Sequence, residues 1–144
     1  MIRLLDVNVL LALCDESHEF HEAAWQWFEP RQTEGWVTCP ITENGFVRIF
    51  GNPRYPGGPA SLEDARSILM EFRQAEGHIF WQDTISVCDA SLFPSLGGIV
   101  ANGLTDLYLL GLVMRHDSRF ATFDQRIDPG SLSNGAAALE IIVI

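Results

Sequence analysis

The chain has 144 residues, enough for one domain that buries most of the apolar surface exposed when unfolded. Nineteen acidic residues against nine basic ones give a net charge of −10, which argues against a protein that grips nucleic acid with a broad basic face. All nine bases are arginine, so every mechanism that requires a lysine is closed to this chain.

In chain order, IRLL (2–5) reads as a short strand and VNVLLALC (7–14) as a helix. HEFHEAAWQWFE (18–29) is an amphipathic helix that Pro30 should stop. WVTC (36–39) is a second strand, and Pro40 suits the first turn of a helix reaching about Phe50. GNPRYPGGP (51–59) is loop, and Ser61 with Asp64 resembles a capping box opening a helix to about Ala75. HIFW (78–81) is a third strand, with a short helix expected at 89–93 before Pro94. Thr105 is placed to cap the apolar helix 106–115, RFAT (119–122) is a fourth strand, and LEIIVI (139–144) a fifth. Strands alternating with helices predict a single α/β domain over residues 1–144, built on a mainly parallel five-stranded sheet flanked by helices.

No apolar run approaches the roughly 18 residues of a membrane span. The N-terminus, where Asp6 follows soon after Arg3, lacks a signal-peptide pattern. The expectation is a soluble, cytoplasmic protein. Cys14, Cys39 and Cys88 have no C-x-x-C spacing and read as buried reduced thiols.

Four acids stand in apolar company. Glu43 has Cys39, Pro40, Phe46 and Val47 at helical spacing; Asp106 is followed by Leu109 and Leu110, and Asp6 by Val9 and Leu10. Asp124 follows RFAT and Phe123 directly. A lone buried carboxylate is costly, so each should be paired or bound to metal. Asp6 ends the first strand, while Glu43 and Asp124 lie just past the second and fourth. Chain direction therefore carries these three to the carboxyl edge of a parallel sheet, where ligands bind. Asp106 joins them if its helix begins at the same edge. Taken singly, Asp6 and Asp106 could instead stabilise helix N-termini, and Asp124 could be a turn residue. Converging carboxylates about 4 Å apart repel by about 4 kcal/mol per pair at an effective dielectric of about 20. Protonation relieves this, and so does a divalent cation; oxygen donors alone favour Mg²⁺ or Mn²⁺. An acid-lined Mg²⁺ site suits phosphoryl chemistry.

LLDVNVLLAL, CPITENGFVRI, TDLYLLGLV and RFATFDQRI, in this order and spacing over residues 4–127, resemble the PIN-domain ribonucleases of the VapC toxin type. The resemblance implies a PIN domain that hydrolyses RNA phosphodiesters with Mg²⁺ or Mn²⁺. It also implies a homodimer, a VapB-type antitoxin that blocks the site, and hence a toxin–antitoxin hetero-oligomer. It assigns the family's acidic positions to Asp6, Glu43, Asp106 and Asp124, with Asn8 and Thr122 as polar supports of the carboxylates. The chain departs from its relatives at RHDSRF (115–120), where glycine is frequent before the last strand of the motif.

Two other readings remain. Phosphatases and receiver domains that accept a phosphoryl group on an aspartate need a lysine, which is missing here. A non-catalytic α/β module that binds a partner and holds a structural ion would show no metal-dependent RNase activity. His18 and His21 read as a solvated or partly packed pair rather than metal ligands. Trp25, Trp27, Trp36 and Trp81 read as core or dimer interface. Arg48 and Arg54 fit either phosphate contacts or ordinary ion pairs.

Overall fold

The computed structural model describes residues 1–144. Five strands, β1 (Arg3–Leu5), β2 (Trp36–Thr38), β3 (His78–Phe80), β4 (Arg119–Thr122) and β5 (Leu139–Ile141), form one sheet in the order β3-β2-β1-β4-β5. Every neighbouring pair is parallel, so the sheet is wholly rather than mainly parallel. Six helices flank it: α1 (Val7–Cys14), α2 (His21–Phe28), α3 (Pro40–Phe50), α4 (Leu62–Phe72), α5 (Leu104–Arg115) and α6 (Gly135–Ala138).

Both faces of the sheet are covered, and successive strand residues alternate between two cores. Leu5 and Trp36 pack with Val9, Leu10, Phe28 and Phe46 under α1–α4. Leu4 and Val37 pack with Leu107, Leu110 and Phe120 under α5. Removing such a side chain, as in Leu10→Ala, costs about 2–5 kcal/mol in a filled core.

Several elements differ from the sequence expectation for local reasons. Pro30 does not end helical structure: the α-turns stop at Phe28, and Glu29–Glu34 continues as a 3-10 helix with the proline in its first turn, where its missing N–H costs nothing. Thr105 does not cap α5, because a 3-10 turn at Ala101–Gly103 runs straight into Leu104. No helix forms at 89–93: the Asp89 carboxylate accepts the Ser91 amide (3.0 Å) and hydroxyl (2.6 Å), a local bonding pattern that competes with helix. Ser61 does cap α4, accepting the Asp64 amide at 3.2 Å, but α4 ends at Phe72 rather than near Ala75. β5 stops at Ile141, short of the chain end. In RHDSRF, Asp117 takes φ +50°, the left-handed conformation that a glycine adopts without cost.

The chain builds β1, β2 and β3 outward in one direction and then returns to lay β4 and β5 on the other side of β1. The reversal falls between β1 and β4, and a parallel sheet opens a crevice at the carboxyl ends of that pair. α5 leads directly into β4, so its N-terminus returns to that same edge.

Candidate active site

Asp6 occupies the reversal point. Its amide bonds the Ala121 carbonyl of β4 at 2.9 Å, and its Oδ1 accepts the Val7 amide at 2.7 Å, capping α1. The helix-cap role and the buried-acid role therefore belong to one residue. Oδ2 accepts the Thr122 hydroxyl at 2.7 Å and the Asn8 amide at 3.3 Å. Having donated its proton, the Thr122 Oγ1 accepts from Asn8 Nδ2 (3.1 Å) and from the Asp124 amide (3.0 Å). Asn8 Oδ1 closes the lattice by accepting the Phe123 amide at 3.2 Å. Asn8 and Thr122 thus hold Asp6 and the Asp124 backbone in one rigid arrangement.

Asp6 is 8% exposed, and its carboxyl is pushed from the ordinary 3.8 up to about 6. Burial is the main cause; the Thr122 hydroxyl opposes it, and the negative charges of Asp106 and then Asp124 add to it. Asp106, in the first turn of α5, is raised by burial and then by Asp124. These mutual effects bring Asp6, Asp106 and Asp124 into one electrostatic neighbourhood. Asp124 has a cation of its own: Arg126 Nε lies 3.3 Å from Oδ1, and the Arg126 amide donates to the same oxygen at 2.9 Å.

Glu43 is held elsewhere. Its Oε2 accepts the Thr38 hydroxyl at 2.7 Å and pairs with Arg73 at 3.3 Å. The expectation that this acid must be paired is met by an arginine about a helix and a loop away in sequence, which no local pattern could reveal. Arg126, by contrast, stands two residues after Asp124 and could have been read from the sequence.

No three of the chain's histidine, cysteine, aspartate and glutamate side chains close on a single point as ligands. The donor chemistry nonetheless fits a hard divalent cation. Asp6 and Asp106 have no cationic side chain among their ion pairs, while both carry the strain of like charge and burial. A cation shared with Asp124 would remove that strain with oxygen donors alone. Two open clefts meet at Asp124. One, about 380 Å³, is lined by Ile99, Asn102, Asp106, Asp124 and Arg126. The other, about 500 Å³, is lined by Asn8, His18, Phe20, Phe123 and Asp124.

The remaining candidates take structural places. His18 Nδ1 accepts the Phe20 amide, and His21 Nδ1 meets the Ala12 carbonyl at 2.7 Å, so the pair is packed separately rather than aimed at one ion. Trp36 and Trp81 are core; Trp25 is half-buried and donates to the Leu13 carbonyl. Cys39 is buried, but Cys88 is exposed, against expectation, because its segment forms turns at the surface instead of a packed helix. Arg48 and Arg54 form no ion pair.

No family model matches the chain. Among curated proteins it is similar to Ribonuclease VapC44 of Mycobacterium tuberculosis, 42% identical over 143 residues, which span 96% of this chain and 100% of the relative. Ribonuclease VapC38 of the same organism is 37% identical over 141 residues, 98% of each chain. Ribonuclease VapC39 is 36% identical over 124 residues, 86% of this chain and 89% of the relative.

Proposed function

This chain belongs to the VapC ribonuclease family, and from that membership we propose that it is a ribonuclease toxin, a metal-dependent endonuclease of RNA whose centre is Asp6, Asp106 and Asp124, with Glu43 as a fourth acid. The observation that carries the reading is the mutual charge repulsion of Asp6, Asp106 and Asp124 near the sheet's reversal point, with Asp6 raised to about 6. Acids pushed toward neutral values by burial and by each other mark functional sites.

Mg²⁺, or Mn²⁺, would be held by Asp6, Asp106 and Asp124, and when bound it supplies an acidified water and charge neutralisation at the phosphodiester. The protein's own groups do the rest. Thr122 and Asn8 fix Oδ2 of Asp6 so that the carboxylate needs no reorganisation on binding. Arg126, with a side chain 89% exposed beside Asp124, is placed to meet a phosphate oxygen of the RNA. The clefts on either side of Asp124 give an extended strand a path across the acids.

The resemblance extends the proposal to partners: a VapB-type antitoxin that covers the acidic edge, a homodimer, and a cytoplasmic setting. No helix of the chain is long and apolar enough to cross a membrane.

The test is purified protein with structured RNAs in Mg²⁺, Mn²⁺ or EDTA, beside Asp6→Asn. Cleavage should need the metal and vanish in the variant. Metal-independent cleavage, or an Asp6→Asn protein as active as the parent, would sink the reading.

A further inference from the structure

We propose that Arg73 is an internal counter-ion that keeps Glu43 off the acidic centre and competes for it with the divalent cation; this rests on the metal-centre reading above. Glu43 is the one acid of the four whose partners come from outside the β1–β4 edge: Thr38 of β2 and Arg73 at the C-terminus of α4. Arg73 is itself anchored. Its amide bonds the Leu69 carbonyl at 2.9 Å, and its guanidinium lies over the Phe80 ring, 5.4 Å from the centroid.

The hydroxyl between them has a defined direction. Thr38 gives its single proton to Glu43, so the His78 Nε2 at 2.7 Å must donate to the Thr38 oxygen. Glu43 is therefore the end of a chain of donors, His78 to Thr38 to Glu43, with Arg73 supplying the charge. Each link draws the carboxylate toward β2 and β3.

An arginine keeps its charge at every working pH, so the rival for Glu43 is a cation and not a proton. The pair is also weak enough to be released. Arg73 is 36% exposed and Glu43 19%, and a cleft of about 510 Å³ lined by Pro40, Glu43, Asn44 and Arg73 opens onto them. A part-exposed pair of this kind shifts a competing equilibrium by about fivefold, not by orders of magnitude.

The test is Mn²⁺ affinity by calorimetry on the metal-stripped protein, for the parent, Arg73→Gln, Arg73→Met, Glu43→Gln, the Arg73→Gln/Glu43→Gln double variant and Asp6→Asn. Both arginine substitutions keep the aliphatic stem at a helix end, and thermal melts verify folding. The expected result is about fivefold tighter Mn²⁺ binding in each Arg73 variant, with the gain lost when Glu43 is also changed. Unchanged or weaker binding in folded Arg73 variants overturns the proposal while leaving the metal centre standing. A gain that survives Glu43→Gln overturns it too, since Arg73 would then act only as a distant charge. A parent that binds no Mn²⁺, like Asp6→Asn, overturns the metal reading itself and this proposal with it.

Discussion

Replacing Asp6 by asparagine separates the cost of the site from its use. In the metal-free protein the Asp6 carboxyl titrates at about 6 instead of 3.8. Its raised value means that the folded state favours the protonated form. That contribution is fully present below about pH 3.8 and is lost as pH rises through about 6. At about pH 7.5 the charged carboxylate therefore costs about 3 kcal/mol of stability, and at about pH 5 about 1.5 kcal/mol, at about 1.4 kcal/mol per unit. Asparagine removes this cost but gives some of it back. Its carbonyl oxygen can still cap α1 at Val7, whereas its amide nitrogen faces the Thr122 hydroxyl and the Asn8 amide, two donors with nothing to accept them. Two lost hydrogen bonds cost about 2 kcal/mol.

The expected balance for Asp6→Asn in EDTA is a gain of about 1 kcal/mol at about pH 7.5, or about 3 °C, turning to a small loss at about pH 5. Urea unfolding at the two pH values measures it, and the difference of about 1.5 kcal/mol between them is the sensitive quantity. RNA cleavage by the same preparation should fall at least about 100-fold, because one ligand charge is gone. A stability difference that does not change with pH would refute the account of Asp6 as a buried acid under repulsion. So would a variant that loses more stability at the higher pH.

Mg²⁺ should raise the melting temperature, and the gain should shrink as pH falls from about 7.5 to about 5, because bound metal favours ionised carboxylates and so lowers their folded-state values; an equal gain at both would count against carboxylate ligands. Thr122→Val should cost about 2–3 kcal/mol at neutral pH, since Asp6 Oδ2 loses its closest donor while the Asp124 amide and the Asn8 amide lose an acceptor; denaturant melts that move by less than about 1 kcal/mol would show that the lattice is not rigid. Gly111→Ala should cost about 1–3 kcal/mol, since the added Cβ would meet the buried Phe93 ring at 2.6 Å and push it off α5; an unchanged melting temperature would mean that the packing of Phe93 on α5 adds little to the fold.

Much of the site's placement could be read from the chain because parallel strands deliver their C-terminal residues to one edge. That rule places Asp6, Glu43 and Asp124, whereas Asp106 reaches the edge only on the condition that its helix begins there, which α5 meets by running directly into β4. Asn8 and Thr122 were legible only through the resemblance, since nothing in the spacing of two polar side chains 114 residues apart predicts a 3.1 Å contact. Arg73 was not legible at all. It becomes a partner of Glu43 because α4 packs beside α3, and that packing depends on side-chain shape rather than period. The missed boundaries have the same local character. At Asp89 a side chain outbids the helix for an amide, and at Gly103 one helix type runs into another without needing a cap.

The charge balance poses a last physical problem, and the arginines answer part of it. RNA is a polyanion, and a chain of net charge −10 repels it at long range. Two acids of the four have an arginine beside them, Glu43 with Arg73 and Asp124 with Arg126, whereas Asp6 and Asp106 have no cationic partner. A phosphate arriving there without metal would face two negative groups that no cation offsets. On the proposed reading, divalent metal is thus needed to bind RNA as well as to cut it. The consequence runs opposite to that of a basic nucleic-acid binder, whose affinity only falls as salt rises. With Mg²⁺ absent, moderate monovalent salt should leave RNA binding negligible. Added Mg²⁺ should create binding even to an RNA whose cleavage is blocked by a phosphorothioate-type linkage. Fluorescence anisotropy of such an RNA, with and without Mg²⁺, separates the two roles: tight binding in EDTA would mean that the bare aspartates do not control the approach of the substrate.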